Sequence, residues 1–295
     1  MQKSGYLYQN FRLFHIRDKK EKTFDFHYHE FNKIIIFLSG NVKYIIEGKT
    51  YYLKPWDILL VDHHAIHKPV IDPSVYYERI VIWVDEDYMR QASQMSGADG
   101  EIDEEHAGSD GKTTDLTACF KKASERSFNL VRLNPVLMER IRAAVGNLEL
   151  ALEPSQDQEF GIGLLRNALF MEFMVYINQI YLGKQYEKDH TALKYDKRTE
   201  EILKYINTHL AENLSVDLLA EQFYLSRYHL MHKFKEETGY TVHNYILQKR
   251  LLMAKDYIAQ GMPVTKAALA SGFADYSTYH RAVKKNQSNI QDDVG

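Results

Sequence analysis

Two groups of residues in this 295-residue chain have types and spacings that could do chemistry. The first is Arg227, Tyr228, Met231, His232 and Lys235, preceded by Ser226. In the same stretch Leu230 and Phe234 stand four apart and face inward, which leaves the polar, cationic and aromatic side chains on or beside the opposite face. A helix with an apolar back and such a front is suited to the major groove of duplex DNA, where base edges are read. The second group is His27-x-His29 with His67. Three converging imidazoles suit Zn, Fe or Mn, but they equally suit a small organic ligand or a purely structural role.

The first group needs elements that hold it rigidly. Ser215 caps a short helix whose apolar side is Val216, Leu219, Ala220 and Phe223, and a turn through Tyr224 and Leu225 follows. Ser226 then caps a second helix that ends before Gly239. The pattern returns after Pro263. Val264 to Ser271 form a short Ala-rich helix, Gly272-Phe273 break it, and Asp275 caps a last helix with Tyr279 and Val283 as the inward pair. Tyr276, Ser277, His280, Arg281 and Lys284 point outward or flank the groove. A long helix from Val242 to Gln260 joins the units and spans roughly 28 Å at ~1.5 Å per residue. That is close to the ~34 Å of one duplex turn. Arg227, Tyr228, Met231 and His232 are then the candidate base-edge contacts of the first unit, and Tyr276, Ser277, His280 and Arg281 those of the second. Lys235, Lys284 and Lys285 suit phosphates, which fix register without reading sequence.

The segment from about Ile202 to Lys285 resembles the DNA-binding domain of the AraC/XylS family of bacterial transcription regulators. The match is carried by Ala220, Ser226-x-x-x-Leu230-x-x-x-Phe234-Lys235, Thr238-Gly239, Tyr245, Arg250-Leu251, Ala254, Ala268-x-x-x-Gly272-Phe273 and Ser277-x-Tyr279-x-Arg281-x-Val283-Lys284-Lys285. Two features depart from it. The family usually has Phe where Val283 stands, and it usually continues past the Lys pair with Gly, Ser-Pro and an aromatic-Arg end. Here the chain closes with NQSNIQDDVG, so the final supporting helix is expected to be missing or replaced.

Residues 6 to 84 alternate and are rich in Tyr, Ile, Val and Phe, with turn signals near Ser39-Gly40, Glu47-Gly48, Pro55-Trp56-Asp57 and Asp72-Pro73. Many short strands at close spacing suggest a small β-barrel or sandwich. His27-x-His29, Gly40, Gly48, Pro55-x-Asp57 and His67 fall in the order of the two cupin motifs. Tyr77-Glu78-Arg79-Ile80 resembles the effector domain of AraC-type regulators. The inward candidates for a ligand are His27, His29, Tyr44, His67, Glu78 and Trp83, a set of aromatic faces with a few polar groups. A hydroxyl-rich ligand such as a sugar suits Tyr and Trp faces plus a carboxylate, and sensing of sugars or related metabolites is what the resemblance implies. A metal cupin adds a Glu soon after the second His. Lys33 and Ile34 stand there instead, and a cation opposes a dication, so no metal and no resident cofactor are expected. The rival from another class is a metal-dependent cupin enzyme with a DNA-binding appendage.

From Asn134 the period becomes helical. Pro135 starts a helix with Val136, Leu137, Ile141, Val145, Leu148 and Leu152 on one side. A second helix, from Glu159 to Leu182, repeats Leu164, Leu165, Ala168, Leu169, Phe173, Tyr176, Ile177 and Ile180. These two helices either pack within the monomer or pair two chains, and the resemblance implies a homodimer through this region. Ser96 to Lys112 is acidic and Gly-dotted, reads as a solvated loop, and lacks the ligand order of an EF-hand. Gly183 to Arg198 is polar with little periodicity and is the expected linker.

Net charge is −3, so affinity for phosphate has to come from where Lys and Arg sit. From Asp196 onward there are 13 basic and 12 acidic residues, against 24 and 28 before it. The single cysteine, Cys119, rules out an intrachain disulfide, fits a reducing cytoplasm and reads as a small buried hydrophobe. The apolar run Ile34 to Leu38 is too short to span a bilayer, and MQKSGYLYQN has no signal-peptide design. The expected fold class is α+β. Residues 1–182 form a cupin-like sensing domain with a helical dimerisation segment (134–182), 183–198 the linker, and 199–295 an all-α domain of two helix-turn-helix units. The expected function is that of a cytoplasmic transcription regulator, an activator in the family's manner. Its partners would be double-stranded DNA, a small-molecule effector, a second copy of the chain and, as a further candidate, RNA polymerase.

Overall fold

Alternating apolar residues from Phe11 onward produce two antiparallel sheets. The computed structural model describes residues 10–19, 27–29, 31–63, 65–95, 114–126, 128–186, 193–194 and 196–292; the expected acidic loop, 96–112, and part of the expected linker lie outside them. The strands are β1 (Phe11–Asp18), β2 (Asn32–Ser39), β3 (Val42–Ile46), β4 (Lys49–Tyr52), β5 (Ile58–Val61), β6 (His67–Ile71), β7 (Tyr77–Val84), β8 (Leu130–Val131) and β9 (Leu193–Lys194). One sheet has the order β1-β7-β2-β5-β8 and the other β6-β3-β4-β9. The last strand comes from the expected linker: Leu193 pairs with Tyr51 and Lys194 with Thr50.

β2 shows how the layers form. Successive side chains point to opposite faces, and both faces of this strand are covered. Ile34 and Ile36 are fully buried in one cluster with Ile58, Leu60, Ile80 and Ile82 of the same sheet and Phe170, Phe173 and Ile177 of a helix. Ile35 and Phe37 enter a second cluster with Val42, Tyr44, Ile46 and Tyr51 of the facing sheet. Each fully buried Ile or Phe contributes about 1.5–3 kcal/mol relative to exposure. Asp57, from the Pro55-x-Asp57 motif, is buried and bidentate to Arg132, with Nε–Oδ1 at 2.8 Å and Nη2–Oδ2 at 2.5 Å. That motif position therefore ties the β4–β5 turn to the chain after β8.

Helices α1 (Glu86–Met95), α2 (Ala118–Glu125), α3 (Pro135–Leu152) and α4 (Ile162–Leu182) cover the first sheet. The Asn134 side chain caps α3 by accepting from the Leu137 amide at 3.0 Å. Leu137, Ile141, Val145 and Leu148 are buried as expected. Val136 is 77% exposed, because one residue of helix turns it ~100° away from Leu137. α4 buries Phe170, Phe173, Met174, Ile177 and Tyr181, whereas Leu164 and Leu165 in its first turns are exposed. Cys119 is buried in the same layer.

The remaining helices are α5 (Lys197–Thr208), α6 (Val216–Gln222), α7 (Arg227–Thr238), α8 (Val242–Ala259), α9 (Val264–Ala270) and α10 (Tyr276–Asp292). Caps stand where the sequence puts them. Ser215, Ser226 and Asp275 accept from the amides of Leu218, His229 and Thr278 at 3.1, 3.2 and 2.7 Å. Leu230 and Phe234 are buried with Ile206, Leu219 and Tyr245. The second unit has a shallower core in which Ala282 joins Leu251 and Phe273, and the expected inward pair Tyr279 and Val283 is only half-buried. Rather than ending at Lys285, α10 continues to Asp292.

Gly272 seals the two units together. Its φ is +88°, and a Cβ there would lie 2.2 Å from the Leu210 carbonyl oxygen and 2.8 Å from Arg250 Nε. Arg250 in turn donates to the carbonyls of Leu210 and Glu212 at 2.9 and 2.6 Å. Gly272→Ala should therefore destabilise the C-terminal domain by about 2 kcal/mol or more, combining a disfavoured backbone with a backbone overlap. An unchanged melting temperature in thermal denaturation would contradict this packing role.

Candidate functional site

The reading face is built on α7. With Leu230 and Phe234 anchored, Arg227, Tyr228, Met231, His232 and Lys235 all lie on the exposed side. Tyr228, 76% exposed, stacks with His232 at 6.0 Å between ring centroids. The Arg227 guanidinium donates to Asp217 Oδ1 of α6 at 3.1 Å, and His232 Nδ1 lies 3.9 Å from a Glu236 carboxylate oxygen. On α10, Tyr276, Ser277, His280, Arg281 and Lys284 are exposed, and Arg281 donates to the Thr278 hydroxyl at 3.3 Å. The Lys285 side chain lies outside the described residues. Reading the sequence for helix faces misses Tyr224, whose ring is 93% exposed on a left-handed backbone of φ +52° beside the N-terminus of α7.

The second set converges inside the barrel. His27 and His67 exchange backbone hydrogen bonds of 3.1 and 2.9 Å, and their ring centroids are 4.5 Å apart. His29 stands 5.0 and 5.3 Å from them. Lys33 Nζ donates to His29 Nε2 at 2.7 Å and to His67 Nε2 at 3.3 Å. His67 Nδ1–H donates to the Ala65 carbonyl at 2.9 Å, which leaves Nε2 as the acceptor that Lys33 uses. Trp83 is the cross-strand partner of Lys33, so the two share the inner face. Its ring packs on Phe31 at 4.6 Å and on Phe14 at 4.9 Å. The buried Trp83 Nε1–H has no acceptor among the described residues. A deficit of that kind costs about 1–3 kcal/mol.

Two expected ligand residues do not join this set. The inward placement of Glu78 is corrected: Tyr77 and Arg79 face inside, so strand alternation turns Glu78 to the outer surface. There it accepts from His15 Nε2 at 3.1 Å and from the Ser39 hydroxyl at 3.3 Å. Tyr44 is inward, but it belongs to the apolar cluster and its hydroxyl meets that of Tyr77 at 3.0 Å. Lys33, Phe14 and Phe31 are the additions. Of these, Lys33 was visible in the sequence as a cation beside the histidines.

Three imidazole nitrogens within 4.8 Å of one another invite the question of a metal. The donor set does not fit one, because the Lys33 ammonium already engages two of the three ligand nitrogens and no carboxylate completes the set among the described residues. Burial, then the charge of Lys33, holds His29 and His67 far below the usual imidazole range. Burial, then the Arg79 charge, lowers Lys33 to about 7.

A turn at the barrel edge connects the two sets. Glu47 and Gly48, with φ of +45° and +76°, form the two-residue loop between the paired Ile46 and Lys49. Glu47 Oε1 accepts from the Ile66 amide at 2.8 Å and from Lys249 Nζ of α8 at 2.7 Å. Its Oε2 accepts from the Tyr245 hydroxyl at 2.6 Å. Alongside, Lys49 Nζ donates to Glu200 of α5 at 2.5 Å. The Ile66 side chain, one residue before His67, joins the core cluster of Ile202, Ile206 and Tyr245.

A barrel with a polar cluster of histidines and Lys33 in its interior, joined to two capped helix-turn-helix units with exposed cationic and aromatic fronts, suits a ligand-binding, DNA-binding regulator. Comparison with known proteins agrees. The family described as AraC-like ligand binding domain matches residues 12–174, and that described as helix-turn-helix domain matches residues 219–287. The chain belongs to the AraC family of transcription regulators, and its relatives are regulators rather than enzymes. It is 23% identical over 265 residues to the HTH-type transcriptional activator RhaS of Salmonella schwarzengrund, covering 88% of this chain and 84% of that protein. Among solved structures it is similar to ToxT from Vibrio cholerae, with a TM-score of 0.33 and 15% identity over 94% of each chain. It is also similar to a Cupin 2 conserved barrel domain protein from Salinispora arenicola, with a TM-score of 0.25 and 14% identity over 30% of this chain and 75% of that one. No helix among the described residues is long and apolar enough to cross a membrane.

The neutral histidines give the fold a pH dependence. In the unfolded chain both protonate at about 6.5, while in the folded chain they resist protonation. The unfolded state therefore binds more protons as pH falls through that value, and stability is lost on acidification. His63, raised chiefly by its hydrogen bond to Asp62, works in the opposite sense. His67→Gln should give a smaller drop in the urea midpoint between pH 7.5 and 5.5 than the unsubstituted chain. An equal drop would show that His67 does not carry this linkage.

Proposed function

We propose that binding of a small molecule at the barrel's interior cluster controls how α7 and α10 engage DNA, and that the Glu47 turn carries the message. One observation supports this reading above the rest. His67 in the interior cluster, Ile66 in the core of the first helix-turn-helix unit, and the Glu47 carboxylate that binds the Ile66 amide and α8 form one continuous set of contacts. A ligand that moves His67 differently in two states shifts their balance at α8. Within the reading face, Arg227, Tyr228, Met231 and His232 address base edges in the first unit, and Tyr276, Ser277, His280 and Arg281 in the second. Lys235, Lys284 and Lys285 address phosphates. The sensing domain then occupies residues 1–182 and the DNA-binding domain 199–295, with 183–198 between them.

Two copies pair through α3 and α4 in this reading. Leu150, Leu164 and Leu165 are exposed where the two helices meet, and Phe160 is fully exposed in the loop between them. Sedimentation should show a dimer that Leu164→Glu with Leu165→Glu converts to monomer. A monomeric parent chain would refute the pairing.

DNA binding is tested by anisotropy with a duplex selected from genomic fragments and a scrambled copy. Arg227→Ala and His232→Ala should each weaken the selected duplex about tenfold, in line with ~1–3 kcal/mol per base contact, with little change for the scrambled one. Glu47→Ala should keep that discrimination but lose the response to effector. Unaltered discrimination in both reading-helix variants would remove them from base recognition, and an intact response in Glu47→Ala would move the coupling elsewhere.

A further inference from the structure

The turn between α6 and α7 carries a residue to which the base and phosphate contacts above give no role. α6 closes with two backbone hydrogen bonds: the Leu225 amide donates to the Ala220 carbonyl at 2.8 Å, and the Tyr224 amide to the Glu221 carbonyl at 3.1 Å. This pattern puts one residue past the helix end in the left-handed region, where glycine is usual. Tyr224 holds that place, with φ of +52°. Within the C-terminal domain, α8 and α9 close with the same pair of bonds, made by Gly261 with Met262 and by Gly272 with Phe273. Their left-handed residues are glycines, at φ of +91° and +88°. Tyr224 and Gly272 thus occupy equivalent places in the two helix-turn-helix units, and only the first unit carries a side chain there.

A tyrosine is a disfavoured choice for that backbone, and nothing in the folded chain offsets it. Its ring is 93% exposed, whereas Phe223 before it and Leu225 after it pack against the core cluster of this unit. Among the described residues its ring and hydroxyl meet no aromatic or hydrogen-bonding partner. Strain kept at an exposed residue points to a partner outside the chain. Position narrows which part of that partner it meets. Tyr224 stands before Ser226, whose side chain caps α7, so it lies off the end of the helix whose front enters the groove. The duplex presents sugar and phosphate at the wall of the groove, with the base edges further in. A phenol suits that wall, because its hydroxyl donates to an anionic oxygen while its ring covers the apolar face of a deoxyribose.

We infer that Tyr224 is a contact to the DNA backbone, its hydroxyl donating to one phosphate beside the groove that α7 enters. The inference rests on the reading role proposed above for α7. The contact fixes how the start of α7 is seated, and so where Arg227 and Tyr228 point, without itself reading a base.

The test uses the full chain, the selected and scrambled duplexes, and anisotropy. Tyr224→Gly relieves the backbone and should melt no lower than the parent. It should weaken both duplexes alike, by about five- to tenfold, as loss of a hydrogen bond to a charged group does. Because the phenol is neutral, the salt dependence should stay as it was, whereas Lys235→Ala should lower the slope by about one. Copies of the selected duplex that carry a single neutral methylphosphonate locate the phosphate. At one position the parent should lose affinity and Tyr224→Phe, already weaker, should lose no more. Should Tyr224→Gly fail to fold, Tyr224→Asn, whose side chain tolerates the left-handed region, takes its place. Parent-like binding by the glycine variant overturns the contact, and so does a lower melting temperature, which would give the ring a structural role. A loss confined to the selected duplex, or no methylphosphonate position at which the two chains differ, overturns the assignment to phosphate. A parent chain that binds neither duplex overturns the reading role of α7 as well.

Discussion

A carboxylate at a left-handed turn is the most heavily bonded of the contacts that join the two halves of this protein. Glu47 adopts φ of +45°, a conformation that costs a non-glycine residue about 1 kcal/mol or more. It is retained because its two oxygens accept from a barrel amide, a lysine ammonium and a buried tyrosine hydroxyl at once. Hydrogen bonds to charged groups are worth about 1.5–3 kcal/mol each, so together they outweigh the backbone cost. The carboxylate in turn holds the Tyr245 hydroxyl far above the usual phenol range, behind the larger effect of burial. The partners polarise one another in a partly dry site. Removing any one therefore weakens the others, so the contacts at this junction are mutually dependent.

The barrel's interior cluster obeys a different constraint, set by strand parity. On β7 the inner positions are Tyr77, Arg79, Val81 and Trp83, and β2 places Lys33 across from Trp83. A lysine at this position opposes a dication and meets His29 and His67 as hydrogen-bond acceptors. The motif histidines His29 and His67 thus share one inner cluster with Lys33.

Much of the C-terminal domain was legible because its determinants are local. Ser215, Ser226 and Asp275 announce helix starts, Gly239 an end, and Leu230 with Phe234 the buried side. Parity in the barrel was less legible. Helices cover the outer face of the first sheet, so both faces of β2 are apolar and alternation does not say which is interior. That is why Glu78 was expected inside and lies outside. Val136 failed for a local reason, a single step around the helix, and Tyr279 with Val283 because the smaller second core leaves them half-covered. The Glu47 contacts and the β9 pairing join residues about 140 to 200 positions apart, and no pattern within a window carries such information.

That β9 pairing has a mechanical consequence. Lys194 is bound to Thr50 on the sheet, and only residue 195 separates it from Asp196. Asp196 caps α5 through the Thr199 amide at 2.9 Å and pairs with Lys233 on α7 at 2.6 Å. At ~3.3–3.6 Å per extended residue, the leash between sheet and helix is about 7 Å long. While β9 stays paired, the helical half cannot drift away from the barrel when the Glu47 contacts open. Any displacement of the helical half that leaves β9 paired is therefore confined to the short reach between Thr50 and the start of α5.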